Sequence, residues 1–466
     1  MNPAVRRRWF AVHRGLGRAA GLLLYVLCVS GTAAVLGPRL LAWELPASRA
    51  AGGEIDLDRA LAPLLAEPGL VGATVFVELP TAEWSVLRVM WFDAGGRHVR
   101  ILDPTTGAAL VDGDGLREWL RDLHADLWLP GPWGRWLVGL LGLLFALEIA
   151  TGVAAQRRLF ATLRPAPQAR SPRTGAALHH RRAASGTLPF HALLAWTGAL
   201  LGLVQLVIVA GALGFAGAGG LGDTLGALEE LGAGAHAAES AGSGGLEALR
   251  ARAASSLGAP VAFVRIDRVG TPRAHVRMEP ALTTHFSARP GVSRPLAGDG
   301  PITLRDAGDQ AAGEHVVQAV FALHFGWSGG RWSEAVYLLF GLGTCAAIAS
   351  GVRLAWHEPG AGAAREAVLL GVPLALALAL VAAPWLQGHV DWFTWTGAAV
   401  LALALAGAVV APARSTTAMR RICAAAWLAV PLANAAASIG YPWSPVVGWI
   451  DALSLFLAWT LIRRAT

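Results

Sequence analysis

His13-Arg14-Gly15-Leu16-Gly17-Arg18-Ala19-Ala20-Gly21-Leu22-Leu23-Leu24-Tyr25-Val26-Leu27-Cys28-Val29-Ser30-Gly31 is the stretch that decides the fold. A His-Arg pair opens it, an apolar run long enough for a membrane helix follows, and Ser30-Gly31 begins 17 residues after His13. The same plan returns at His180-Arg181, where Thr197-Gly198 again begins 17 residues later. Downstream of each copy the match continues. Leu123-His124 precedes Gly134-Arg135-Trp136 and Thr151-Gly152-Val153; Leu323-His324 precedes Gly330-Arg331-Trp332 and Ser350-Gly351-Val352. The His-to-Arg spacings are 11 and 7, an indel in a Pro/Gly-rich turn. Residues 1–355 therefore read as a duplication: membrane helix, outward α+β unit, membrane helix, twice.

Composition sets the environment. The chain has 466 residues, 55% hydrophobic and 15% charged, with 56 Gly. Soluble proteins carry roughly 25% charged residues, so a cytosolic globular enzyme, a disordered chain and a nucleic-acid binder are all disfavoured. The net charge of +7 comes entirely from Arg, there being no Lys. Cys28, Cys345 and Cys423 all lie in apolar segments, a spacing that supports neither a disulfide framework nor a Cys metal site.

The fold class read from this is a mainly α membrane protein of eight transmembrane helices, at 15–36, 134–155, 188–213, 333–355, 367–386, 392–411, 421–438 and 447–462. The first four form the two pseudo-repeats. The layout is an N-terminal segment with the first span (1–36), an outward unit (37–132), a second span (133–155) and an Arg-rich loop (156–187). A third span (188–213), a Gly/Ala-rich linker with a second outward unit (214–332), a fourth span (333–357) and a closing bundle (358–466) follow. Arg placement orients it: five Arg and no acid in residues 1–18, seven Arg and no acid in 156–189, then Arg414, Arg420, Arg421, Arg463 and Arg464 on the same side. That side is expected to be the cytoplasm, with both termini, in a bacterial inner membrane. Arg7-Arg8-Trp9-Phe10 resembles a twin-Arg signal, but no A-x-A site follows and the run is long enough to stay as an anchor. In the first outward unit a helix at 56–66, strands at 71–79, 84–92 and 98–102, and turns at Gly95-Gly96 and Asp103-Pro104-Thr105-Thr106-Gly107 are expected. The second repeats this more loosely, with a helix at 245–257 and strands near 260–268 and 273–279. Gly217-x-Gly219-x-x-Gly222 fits a dinucleotide pattern but follows a membrane helix rather than a strand.

Four His occupy two pairs of equivalent positions: His13 and His180 at inner helix ends, His124 and His324 at the outer face. A pseudo-two-fold axis along the membrane normal brings each pair face to face, and two opposed imidazoles supply both axial ligands of a low-spin haem iron. A single interfacial His is commonly just hydrated; the pairing argues otherwise. Gly15, Gly17, Gly21, Gly139 and Gly142 would leave room for the macrocycle, and Arg14, Arg181, Arg135 and Arg331 would pair with its propionates. His191, 11 residues after His180 and so on the same helix face, is either the inner ligand in place of His180, a group lining the route between haems, or a His bonded to a neighbouring carbonyl. Trp119, Trp128, Trp327 and Trp332 are candidates to stack on haem or substrate, or belong to an interfacial belt.

His13-Arg14-x-x-Gly17, Leu123-His124, His180-Arg181, Leu188-Pro189-Phe190-His191 and Leu323-His324 together resemble the PepSY-associated transmembrane family, which includes bacterial ferric-siderophore reductases, over about residues 5–357. The outward unit ending at Asp103-Pro104-x-x-Gly107 is similar to a PepSY domain. The second copy departs, with Ala184 where a Gly is expected and a degenerate outward unit. The resemblance implies an oxidoreductase with about two haem b, passing electrons from a quinol or cytoplasmic reductase to a periplasmic acceptor such as siderophore-bound Fe(III). Two rivals remain: a PepSY-type anchor that binds or inhibits a periplasmic protease, and a siderophore permease, which the scarcity of intramembrane acids disfavours.

Overall fold

The computed structural model describes all residues except 1, 51–52, 82–84, 94–95, 114, 157–170, 216–235, 240–244, 282–285, 297–301, 311, 327–329, 357–360, 443 and 464–466. Each of the eight apolar segments is helical. In chain order the helices are α1 (Pro3–Ala34), α2 (Gly37–Glu44), α3 (Leu57–Leu65), α4 (Leu116–Asp126), α5 (Pro132–Ala155), α6 (Pro172–Gly186) and α7 (Leu188–Phe215). They continue as α8 (Leu246–Leu257), α9 (Ala312–Phe325), α10 (Gly330–Ala355), α11 (Ala361–Ala382), α12 (Val390–Val410), α13 (Pro412–Ala437) and α14 (Pro445–Arg463). By length and composition, five of these are able to cross a membrane: α1, α5, α10, α11 extended to Trp385, and α12; a sixth span results if the bent pair α6–α7 is counted as one.

That bend corrects the expected placement of His191. The segment before the third span holds a helix, α6, and the chain turns by 69° between it and α7. Pro189 lacks the N–H that would carry a helix through. Helical periodicity cannot be counted across the break, so His180 and His191 do not share a face.

The outward segments form one sheet rather than two separate units. Its strands are β1 (Val75–Glu78), β2 (Leu87–Asp93), β3 (Gly96–Leu102), β4 (Ala109–Asp112), β5 (His236–Glu239), β6 (Val261–Asp267), β7 (His275–Pro280), β8 (Gly291–Pro295) and β9 (Ile302–Arg305). The order is β4-β3-β2-β1-β6-β7-β8-β9-β5. The two halves meet at the antiparallel β1–β6 pair, with Val75 opposite Ile266 and Val77 opposite Val264. Each half runs helix, four strands, helix, so the second copy is not degenerate in topology. Strand β5 lies within the stretch read as linker. The Gly217–Gly222 pattern and Gly95 lie outside the described residues.

Alternation along the strands sends Val75, Val77, Val89, Val264, Ile266, Val276 and Met278 to one face, where α3 and α8 cover them with Leu57, Leu61, Leu64, Leu246 and Leu249. The two helix starts are tied across the join. Asp58 carboxylate oxygens accept from the backbone N–H of Leu246 (2.6 Å) and Glu247 (3.1 Å), and Glu247 accepts from Leu57 N–H (3.4 Å). Each acid thus caps the other half's helix. The Asp103–Gly107 turn forms as expected: Asp103 Oδ1 accepts from the N–H groups of Thr105 and Thr106, and Gly107, at φ +74°, lies so close to Ala60 that a Cβ there would sit 2.6 Å from its carbonyl oxygen.

The last four helices pack beside α1 and α2 through a core that includes Trp43, Leu380, Phe393 and Trp427. Trp119 and Trp128 belong to this contact: they stack on one another at 5.2 Å, and Trp119 also meets Phe393 at 6.2 Å. Their rings are engaged by the bundle rather than held ready for a substrate. Trp332 is exposed, and Trp327 lies outside the described residues.

Candidate metal centres

Four helix seats hold four imidazoles. His13 on α1 lies against Gly152 on α5; His180 on α6 lies against Gly351 on α10; His124 on α4 lies against Gly31 on α1; His324 on α9 lies against Gly198 on α7. A Cβ built on these glycines would come within 3.1, 2.9, 2.5 and 3.3 Å of the respective Cε1 atoms. Each seat is the Ser/Thr-Gly dipeptide that marked the repeat. The hydroxyl of Ser30, Thr151, Thr197 and Ser350 bonds back to the carbonyl four residues earlier on its own helix. The missing side chain of the glycine opens a notch above the carbonyl one turn before it, since Cβ atoms tilt toward the helix N-terminus.

Into that notch the ring nitrogen bonds. His13 Nδ1 donates to Glu148 O, His124 Nδ1 to Leu27 O and His180 Nδ1 to Ala347 O, all at 2.9 Å. A carbonyl only accepts, so Nδ1 carries the proton and Nε2 keeps its lone pair. His324 Nδ1 sits 2.9 Å from Thr197 Oγ1, whose proton is committed to Leu193 O, so this Nδ1 also donates. All four imidazoles share one tautomer, the one that frees Nε2 for a metal. Burial, with a smaller contribution from nearby His124, pushes His324 down to about 3, and burial also lowers His124. Both are neutral at physiological pH, the form a metal requires.

The pairs meet as the repeat predicts. The ring centres of His13 and His180 are 6.1 Å apart, and those of His124 and His324 are 6.0 Å apart. A ligating imidazole nitrogen lies about 2 Å from its metal and roughly 1.1 Å from its own ring centre, so two rings axial to one ion have centres about 6 Å apart. No group of three or more His, Cys, Asp or Glu able to hold a metal ion occurs among the described residues. Two imidazoles leave an ion's remaining positions to a non-protein ligand, and the four pyrrole nitrogens of a tetrapyrrole are such a set. The residues present therefore fit a bis-imidazole haem at each pair. His13 and Leu27, whose carbonyl holds His124, are 14 residues apart on α1, about 21 Å along the axis. The two centres thus stand toward opposite ends of the helices.

The imidazole facing His13 is that of His180. His191 is buried, bonds Thr187 Oγ1 through Nδ1 at 3.0 Å and packs its ring 5.8 Å from Phe145. The expected glycine-made space is corrected as well. Gly139 and Gly142 are close-packed on α7, where a Cβ would meet Gly202 and Ala199 backbone at 2.8 Å; Gly17 abuts Glu148 and Gly21 abuts Val352. These small residues let helices approach. Only Gly15 faces open space. Among the four candidate propionate partners, Arg135 forms a two-pronged ion pair with Asp126 (2.8 and 3.0 Å), Arg181 reaches Ala177 O, and Arg14 and Arg331 are exposed. The glycine seats were present in the sequence as repeat markers, but their pairing with particular His residues was not legible there.

Comparison with known proteins agrees with this geometry. The chain matches the family described as PepSY-associated TM region over residues 10–358, which takes in all four His and all four glycine seats. No curated protein matches it.

Proposed function

The chain belongs to the PepSY-associated TM region family, and from that premise we propose that it is an inner-membrane electron-transfer protein with two haem b groups. It carries electrons from a quinol or cytoplasmic reductase to a periplasmic acceptor, best accounted for as ferric iron held by a siderophore. The eight apolar helices span the membrane with both termini in the cytoplasm, and the nine-stranded sheet is two PepSY-like units on the periplasmic side. The observation that carries the proposal is the pair of opposed imidazoles, twice, at the separation two axial ligands need, each with Nε2 left free.

Haem, when bound, supplies a one-electron Fe(III)/Fe(II) couple. The protein's part is to hold His13 with His180 and His124 with His324 in a fixed tautomer. The glycine seats prevent ring rotation, so little rearrangement accompanies a change of charge. Neutral axial imidazoles leave the net charge of each centre to iron and macrocycle. Burial of the rings keeps water from competing for the axial positions. Reduction of the acceptor weakens its hold on hard oxygen ligands and frees the metal for uptake.

Purified protein from haem-replete cells is expected to show a low-spin bis-imidazole haem b spectrum with about two haems per chain. A colourless preparation refutes the proposal.

A further inference from the structure

The duplication keeps the four His but not the charge beside them. Six residues before His124 stands Glu118; six before His324 stands Gln318. In the first half, Glu118 and Glu78 close on Arg88, Arg117 pairs with Glu78 at 2.7 Å, and Arg97 pairs with Asp122 at 3.1 Å. Three arginines meet three acids and the space between sheet and α4 is filled. In the second half the corresponding space between β6, β7, β9 and α9 is a cavity of about 400 Å³, and Gln318 lines it.

Four arginines (Arg265, Arg277, Arg289, Arg305) and two glutamates (Glu279, Glu314) line that cavity. Asp267 offsets Arg265 from behind at 2.9 Å, so positive charge remains in excess. Several of its buried polar atoms have no hydrogen-bond partner among the described residues. Gln310, 8% exposed, accepts from Arg289 N–H through Oε1, but its Nε2 has no partner. The same holds for Nε of Arg289 and Arg305 and for Glu279 Oε2. Buried donors are ordinarily satisfied, so a cluster of them round one cationic cavity points to a partner from outside the chain. The first turn of α9, with Gly313 in the wall, adds the positive end of a helix dipole.

We propose that this cavity binds a small multivalent anion bearing carboxylate or phosphate oxygens. Arg289 and Arg305 pair with its oxygens, the Gln310 amide donates a further hydrogen bond, and Glu279 Oε2 accepts from a hydroxyl on the ligand. Val317, in the cavity wall, and His324 are seven residues apart on α9, about 10 Å. Resting on the electron-transfer proposal, this makes the cavity the place where an anionic acceptor docks beside the outer pair. The binding itself does not depend on that proposal.

The test is calorimetric titration of the full chain in nanodiscs of zwitterionic lipid with citrate, inorganic phosphate and ferric citrate. At least one anion is expected to bind one to one, more weakly as salt rises. Citrate and ferric citrate binding alike assigns the pocket to the free polycarboxylate; ferric citrate alone assigns it to the metal complex; phosphate alone assigns it to phosphoryl oxygens. Gln318→Glu, which restores the first half's acid, and Arg305→Gln are each expected to weaken binding at least tenfold. His324→Ala should leave it unchanged. No binding of any of the three, or unchanged affinity in both pocket variants with unaltered melting, overturns the proposal. A colourless protein that still binds an anion would sink electron transfer and leave the pocket. A haem-loaded protein indifferent to all three would do the reverse.

Discussion

Replacing Gly31 by Ala tests whether the glycine seats hold the outer centre. The new Cβ would lie 2.5 Å from His124 Cε1 and 2.8 Å from Nδ1, where ordinary contact begins at 3.4 Å. The ring must retreat by at least 0.9 Å, the difference between those two values. The bond from His124 Nδ1 to Leu27 O, now 2.9 Å, would then stretch beyond hydrogen-bonding range. Leaving that buried donor unpaired costs about 1–3 kcal/mol, and losing the partner of a ligating His typically lowers metal affinity about 10–100-fold. The two figures agree, since 1.4 kcal/mol is about tenfold. Gly198→Ala acts on the opposite ligand of the same centre, but its Cβ would stand 3.3 Å from His324 Cε1, a misfit of only 0.1 Å against that 3.4 Å. Haem per chain, measured by pyridine haemochrome absorbance, is therefore expected to fall from about two toward one in Gly31→Ala and to stay near two in Gly198→Ala. An equal loss in both, or a larger loss in Gly198→Ala, would refute the seat argument even if haem is present.

His124→Ala and His324→Ala should each remove the same haem, and His13→Ala and His180→Ala the other, whereas His191→Ala should keep both; redox titration of each variant identifies which potential disappears. Arg88→Met leaves Glu78 and Glu118 buried without their cation and should destabilise the sheet by about 3–5 kcal/mol, seen as a lower melting temperature by circular dichroism. Burial alone would raise Glu78 and Glu118, but Arg117 and Arg88 at Glu78, and Arg88 at Glu118, outweigh it and hold both below the ordinary carboxylate value. A depressed folded pKa gives stability that is fully present above the unfolded value near 4.3 and is lost as pH falls through the folded one. Melting temperature should therefore drop on acidification below about pH 4.3, and less steeply in Glu78→Gln.

The duplication, the His pairs and the helical segments were all open to reading because each leaves a mark along the chain: an apolar run, a 17-residue spacing, a repeated Ser/Thr-Gly. What stayed hidden depended on contacts between halves. Nothing in Val75–Glu78 or Val261–Asp267 announces that the two strands will pair and fuse two units into one sheet. The same limit explains why Gly139 and Gly142 read as open space: a glycine on a membrane helix marks a close approach, but the sequence does not say whether a helix or a cofactor does the approaching. His191 was misplaced because helix periodicity was carried across Pro189, where the chain bends by 69°.

The two halves have diverged unevenly, and the unevenness follows from what each position must satisfy. A ligand His answers to its partner in the other half, since both rings must reach one centre. Loss of either empties it, so His13 and His180, or His124 and His324, are constrained jointly. Their seats inherit the constraint at one remove, which accounts for Ser/Thr-Gly at 30–31, 151–152, 197–198 and 350–351. Glu118 and Gln318 answer to no such pair. Each faces only its own half of the sheet, so one is free to neutralise an arginine cluster while the other leaves a cluster exposed to a cavity. A duplicated frame thus lets the metal-holding geometry stay symmetric while one periplasmic half closes and the other acquires a charged pocket. That division places ligand selectivity in the second half alone.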